Sequence, residues 1–166
     1  MSRERTRGLV RQQLRRDDIG GWLFKCNPRE WDIEAALRDG QPIDSWRVRD
    51  SYRLSLIRPG DPAVVWVTGS AGTNPEPGIW AVGYTTGEVF DGGDYWVKKE
   101  RGQQLAVYAG LLMWPIAVVP RERIAAHPAT SDLEILRQAQ MSNPSYLTPE
   151  HREAIASMVE RWPSFS

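Results

Sequence analysis

Residues 21–28, Gly21-Trp22-Leu23-Phe24-Lys25-Cys26-Asn27-Pro28, read as a short buried strand that ends at the start of a helix. The first six are apolar and aromatic with one lysine, and Asn-Pro is a strong stop. Asn27 suits an N-cap, Pro28 the first helical position and Glu30 a capping box, so a helix is expected over 28–38, closed by Gly40. Downstream, residues 44–49 are too short and mixed for a helix and read as extended. Residues 50–57 begin on a capping Asp50, stop before Pro59-Gly60 and read as a second helix.

Residues 63–68 and 79–86 are β-branched and aromatic and look like paired strands around a Gly/Ser/Asn/Pro loop, 69–78. The stretch 87–102 reads as loop, because Asp91-Gly92-Gly93-Asp94 favours a turn, with a further strand segment at Tyr95-Trp96-Val97. Residues 105–119 are the longest apolar stretch. Gly110 and Pro115 interrupt it, which favours two strand pieces over one helix. Near the C-terminus Thr148 can cap a helix with Pro149 in its first turn, and Ala154, Ile155, Met158, Val159 and Trp162 supply its apolar face. This order lacks the regular alternation of a doubly wound sheet. It implies an α+β fold with a curved sheet or small open barrel and flanking helices.

The 166 residues fit one domain of ordinary size, and 41% apolar with 25% charged residues is a globular composition. The 21 basic and 21 acidic side chains cancel, which excludes a protein held to nucleic acid by a dominant phosphate term. Basic excess is local: residues 1–20 hold Arg3, Arg5, Arg7, Arg11, Arg15 and Arg16 and read as a solvated leader, with a phosphate-touching arm as the alternative, to a domain at 21–162. A lone Cys26 excludes an intrachain disulfide and a multi-cysteine zinc site, and points to a reducing compartment, the cytoplasm by default. No apolar run reaches membrane-spanning length, so no membrane partner is expected.

Several catalytic patterns are absent. His127 and His151 have no connection in sequence with Cys26, and no His-Glu-x-x-His or clustered Cys/His set occurs, so neither a metal nor another cofactor is expected. Thr68-Gly69-Ser70-Ala71-Gly72-Thr73 follows a strand as a phosphate cradle would, but it lacks the Gly-Lys-Ser/Thr ending and a following helix. Residues 91–94 lack the acidic spacing of a calcium loop.

What the chain has in excess is tryptophan, eight in all. Trp22, Trp66 and Trp80 lie in strand runs, and Trp31 and Trp162 on helices with apolar neighbours, so packing is their expected role. Trp46, Trp96 and Trp114 adjoin polar or breaking segments, where aromatic rings can line a concave site. A flat heterocycle stacks on such rings and is identified by polar groups along its edge.

The series Trp22-Leu23-Phe24-Lys25-Cys26-Asn27-Pro28, Trp46-Arg47-Val48-Arg49, Pro59-Gly60-Asp61, Val64-Val65-Trp66-Val67-Thr68-Gly69-Ser70 and Gly78-Ile79-Trp80-Ala81-Val82-Gly83 resembles the EVE domain. That family belongs to the PUA-like group and is related to the YTH readers of methylated adenine. Asn143-Pro144 and Leu147-Thr148-Pro149-Glu150 resemble its C-terminal motif, so the similarity covers roughly 21–160. Where family members often carry Phe-Tyr, this chain has Trp66-Val67.

The resemblance implies a non-catalytic reader that takes a modified, flipped-out base of DNA or RNA into an aromatic pocket. Trp46 would be a wall and Trp114 a second one, with Arg47, Asn27, Thr68 and Ser70 at the base edge. Asn27 has its capping role as an equally weighted structural explanation. Arg49, Lys98, Lys99 and Arg101 would touch the nucleic-acid backbone. A nuclease or other defence or modification protein would be a natural partner. Two rival readings stand beside this one. The first is an ASCH-like hydrolase of modified nucleosides, for which Lys25, Thr68 and Glu88 qualify by residue type alone. The second is a protein-interaction module built on exposed tryptophans.

Overall fold

The structure is a computed structural model that describes residues 13–99 and 102–166, with side chains given everywhere in these spans except 93–105. The leader's first twelve residues and Arg101 lie outside the described residues.

Alternation in the first strand organises the whole. In β1 (Gly21–Cys26), Trp22, Phe24 and Cys26 point to one side of the sheet and Leu23 to the other. The parallel neighbour β3 (Pro62–Val67) repeats the pattern: Ala63, Val65 and Val67 join the first group, Val64 and Trp66 the second. Two cores result. The inner one is completed by Ile33, Ile43, Val48, Ala81, Ala109 and Leu111, and the outer one by Ile79, Val82, Ile124, Leu133, Leu147 and Ile155. Trp22 and Trp66 are fully buried, one in each, and burial of such a side chain is worth about 2–3 kcal/mol.

Six strands form one mixed sheet in the order β2-β5-β4-β3-β1-β6, with β2 at Ser45–Val48, β4 at Gly78–Lys99, β5 at Gly102–Pro120 and β6 at Ser145–Leu147. The sheet curls into a half-barrel around the inner core. Helices α1 (Ile33–Arg38), α2 (Arg121–Ala126), α3 (Glu134–Arg137) and α4 (Pro149–Met158) flank it, α2–α4 contributing to the outer core. This is an α+β, PUA-like fold.

Local expectations fare unevenly. Thr148 caps α4 as its sequence predicts: its hydroxyl accepts from the His151 N–H at 3.1 Å, and His151 Nδ1 accepts from the Thr148 N–H. The first helix starts five residues later than the capping pattern at Asn27 predicts. Asn27 Oδ1 instead accepts from the Arg29 N–H at 3.0 Å, which closes a turn, and Asp32 caps α1 through the Ala35 N–H. The stretch 50–57 forms a 3-10 turn, Tyr52–Leu56.

The largest correction is β4, which runs through the predicted loop at 87–102, while β5 is one strand and not two pieces. The glycines there serve bulges in place of turns. Register shifts between Thr85 and Val89, where Gly87 sits at φ +88°, and a Cβ on Gly110 opposite would lie 2.2 Å from Thr86 Oγ1. Asp91-Gly92-Gly93-Asp94 likewise falls in a second shift, between Asp91 and Trp96.

One buried carboxylate ties the N-terminal turn to the barrel. Asp61 accepts from Trp22 Nε1 (2.9 Å), the Arg58 N–H (2.9 Å) and both ends of the Arg16 guanidinium. Burial acts to raise its pKa, but hydrogen bonds from Arg16, Arg58 and Trp22 outweigh that and hold it below the ordinary 3.8. A depressed folded pKa means stability that is present above about pH 4 and lost as pH falls through the folded value. Asp61→Asn should therefore cost about 3 kcal/mol in urea denaturation at pH 7. The gap to wild type should narrow steadily below about pH 4, as the wild-type carboxyl protonates.

Candidate functional site

The two edges of the curled sheet meet at the backbone N–H and C=O of Lys25. Antiparallel pairing of β6 with β1 runs from Gly21↔Leu147 to Leu23↔Ser145. One step further, Pro144 has no N–H to donate, and the ladder stops. Asn143 replaces it with a side chain: Oδ1 accepts from the Lys25 N–H at 2.7 Å and Nδ2 donates to the Lys25 carbonyl at 3.1 Å. The same carbonyl accepts from Trp46 Nε1 at 3.1 Å, and the Asn143 carbonyl accepts from the Arg49 N–H at 3.0 Å. Trp46 lies in β2 and Arg49 just past its end, so these bonds join the far edge of the sheet to the near one.

Because side chains and not a continuous ladder close this seam, space is left along it. A cavity of about 990 Å³, open to solvent, lies there, walled by residues 25–31, 42–50, 106–108 and 140–143 in part. Trp46 is half-buried in its wall, with its indole N–H already committed and its ring thereby fixed. Trp31 joins it, with ring centroids 5.4 Å apart and planes at 80°, so the two rings form a corner and not a parallel-sided slot. Trp31 is 38% exposed, which corrects its expected packing role. The displaced start of α1 puts it in the turn before the helix.

Of the other residues singled out by sequence, Asn27, Arg47 and Arg49 line the cavity. Thr68, Ser70 and Trp114 do not. Thr68 follows β3 and its hydroxyl donates to the Cys26 carbonyl at 3.2 Å. Ser70 sits in an exposed turn whose carbonyl accepts from the Thr73 hydroxyl at 2.7 Å. Trp114 lies edge-on to Tyr84, which itself packs on Phe165, so it belongs to a cluster holding the C-terminal tail. Lys98 and Lys99 pair with Gln103 and Gly102 at the far end of the β4–β5 hairpin. Sequence reasoning missed Trp31, Tyr108 and the part played by Asn143, although the Asn143-Pro144 motif marked the last.

The cavity's electrostatics are balanced. Lys25, Arg47 and Arg49 face Glu30, Asp44 and Asp50, so it is no phosphate well. Partial desolvation lowers the Lys25 pKa from its ordinary value, opposed by Glu30, and its ammonium donates to the Ala139 carbonyl at 3.1 Å. Burial, helped by Glu30, pushes the Cys26 thiol up to about 12, far from a nucleophilic thiolate at neutral pH. Of Lys25, Thr68 and Glu88, the structure brings only Lys25 to the cavity. No cluster of His, Cys, Asp and Glu able to hold a metal occurs among the described residues.

No protein-family model matches the chain, and neither does any curated protein. Among solved structures the fold is similar to human THYN1 in complex with 5-methylcytosine-containing DNA, at 16% identity and TM-score 0.55 over 86% of this chain and 99% of that one. It is similar to Rpa0253 from Rhodopseudomonas palustris, at 19% identity and TM-score 0.58 over 84% and 92%. A hypothetical protein from Leishmania major matches at 17% identity and TM-score 0.56 over 87% and 96%. At these identities the likeness is one of fold.

Two outcomes follow from the seam. Asn143→Ala leaves the Lys25 N–H and part of its carbonyl demand unmet and should cost about 2 kcal/mol in urea denaturation, with red-shifted tryptophan emission as Trp46 loosens. Asn143→Asp, which keeps the acceptor but loses the donor, should be no milder. In native protein at pH 8 Cys26 should resist a disulfide reagent over hours, and react within minutes once urea unfolds the chain.

Proposed function

We propose that the chain is an EVE-domain reader, which binds a modified nucleobase extruded from DNA or RNA and does no chemistry on it. The observation that carries this reading is the corner of Trp31 and Trp46 opening into a charge-balanced cavity at the seam. The fold likeness to a protein solved with 5-methylcytosine-containing DNA supports it.

A neutral flat ring suits such a place. Stacking on a fixed indole contributes about 1–3 kcal/mol per base and costs little ordering, because the Trp46 N–H is already held. Extruding a paired base costs a few kcal/mol, so single-stranded or weakened sites bind best. The Asn27 amide lies at the cavity wall as a group for the base edge, and Arg47 and Arg49 lie at the rim for flanking phosphates. Neither arginine makes a side-chain ion pair with a described residue. A reader of this kind would act in the cytoplasm beside a nuclease or modification protein that uses the mark.

Titration of single-stranded oligonucleotides bearing cytosine, 5-methylcytosine, 5-hydroxymethylcytosine, adenine or N6-methyladenine, followed by tryptophan fluorescence, tests the proposal. At least one modified base should bind about tenfold or more tighter than its plain parent, and Trp46→Ala should abolish the preference while Thr68→Ala leaves it. The salt dependence should be shallow, with a log–log slope of about −1.4 for two phosphates. Equal, steeply salt-driven binding of all five would remove the base-specific reading.

A further inference from the structure

The cavity's lining takes in Arg47 and Tyr108 at the β2 edge of the sheet. Register places Arg47 directly across from Tyr108, and Tyr108 directly across from Phe90. Residues opposite one another in antiparallel strands share a face. The flanking pairs, Val48↔Val107 and Trp46↔Ala109, turn inward to the inner core, so Arg47, Tyr108 and Phe90 form one row on the opposite face. The Phe90 and Tyr108 rings stack at 5.9 Å with planes only 17° apart, and Phe90 remains 42% exposed. Arg47 and Tyr108 also line the cavity, which makes the row its outward extension.

An exposed aromatic plane beside an arginine without an ion-pair partner among the described residues is the composition of a single-strand binding track: a ring for the base, a cation for the phosphate. Three adjacent strands cover roughly 10 Å, and two to three nucleotide steps of about 3.4 Å reach roughly 7–10 Å along them. We infer that the nucleotide adjoining the cavity-bound base crosses the β2 edge and stacks on the Phe90–Tyr108 pair, with Arg47 on the intervening phosphate. The inference rests on the cavity being the base-binding site, and it makes the ligand a single-stranded segment of two or three nucleotides in place of an isolated base.

The test uses the full chain and three probes: 5-methyl-2′-deoxycytidine, a DNA trinucleotide with 5-methylcytosine between two thymines, and that trinucleotide with both thymine bases removed to leave abasic sites. Wild type should bind the intact trinucleotide about tenfold tighter than the abasic one. Phe90→Ala and Phe90→Leu should both reduce that ratio to about one and leave the nucleoside and abasic affinities unchanged. Phe90→Trp should keep or enlarge it. Unchanged nucleoside binding shows that the variants fold.

Equal affinity of wild type for the two trinucleotides, or a ratio that survives Phe90→Ala, overturns this inference alone and leaves the row as an apolar surface for a protein partner. A ratio kept by Phe90→Leu overturns it too, because contact and not stacking would then be at work. Failure of all three probes to bind overturns this inference for 5-methylcytosine, and together with failure of every modified oligonucleotide above it overturns the cavity reading as well.

Discussion

The arrangement depends on how the backbone N–H and C=O of one residue, Lys25, are satisfied. A curled six-stranded sheet has two edges, and each presents backbone donors and acceptors that must find partners. Here the β6 ladder ends at Ser145 because proline comes next, and the Asn143 amide supplies at Lys25 the donor and acceptor that a further strand residue would have offered. The indole N–H of Trp46 completes the Lys25 carbonyl from the opposite edge. Closure is thus achieved by two side chains, and side chains leave a gap that a ladder would fill.

That gap is the cavity, and its properties follow from its origin. It lies between strand ends, so its walls come from segments far apart in sequence, 25–31 and 140–143 among them. The Trp46 ring in its wall is held by the same bond that closes the sheet, so the cavity's geometry is tied to the stability of the fold. Its charges cancel, and on the proposed reading that suits a neutral heterocycle inside and leaves Arg47 and Arg49 for the attached backbone. The bulge at Gly87 keeps the long β4–β5 hairpin in the sheet, which is what brings Phe90 into line with Tyr108.

Much of the barrel was legible because alternation is a strong signal when both faces of a strand are buried. The strand at 21–26, the pair beginning at 63 and 79, and the Thr148-capped helix all lie where their residues imply. Glycines misled in both directions. Between 87 and 102 they looked like turn formers, yet cross-strand pairing overrides local preference there and uses them for bulges. The helix signal at Asn27-Pro28 was sound chemistry in the wrong competition, since Asp32 lies next to the apolar Ile33, Ala36 and Leu37 and wins the cap. Of the residues the resemblance singles out, Trp46, Arg47, Arg49 and Asn27 lie on the cavity wall. Trp31 was not legible, because its exposure depends on that shifted cap. Asn143 takes its part only through a bond to a residue 118 positions away, which no local pattern encodes. Thr68, Ser70 and Trp114 come from the same resemblance, and the sheet holds all three away from the cavity.

The decisive readout is the indole N–H resonances of the eight tryptophans in nitrogen-15-labelled protein, followed during titration with the modified single-stranded oligonucleotide that binds tightest. The signals of Trp31 and Trp46 should move together and saturate, while those of buried Trp22 and Trp66 and of Trp114 stay in place. Saturable binding that shifts Trp114 or Trp80 and leaves Trp46 untouched would contradict it, since the ligand would then lie away from the seam.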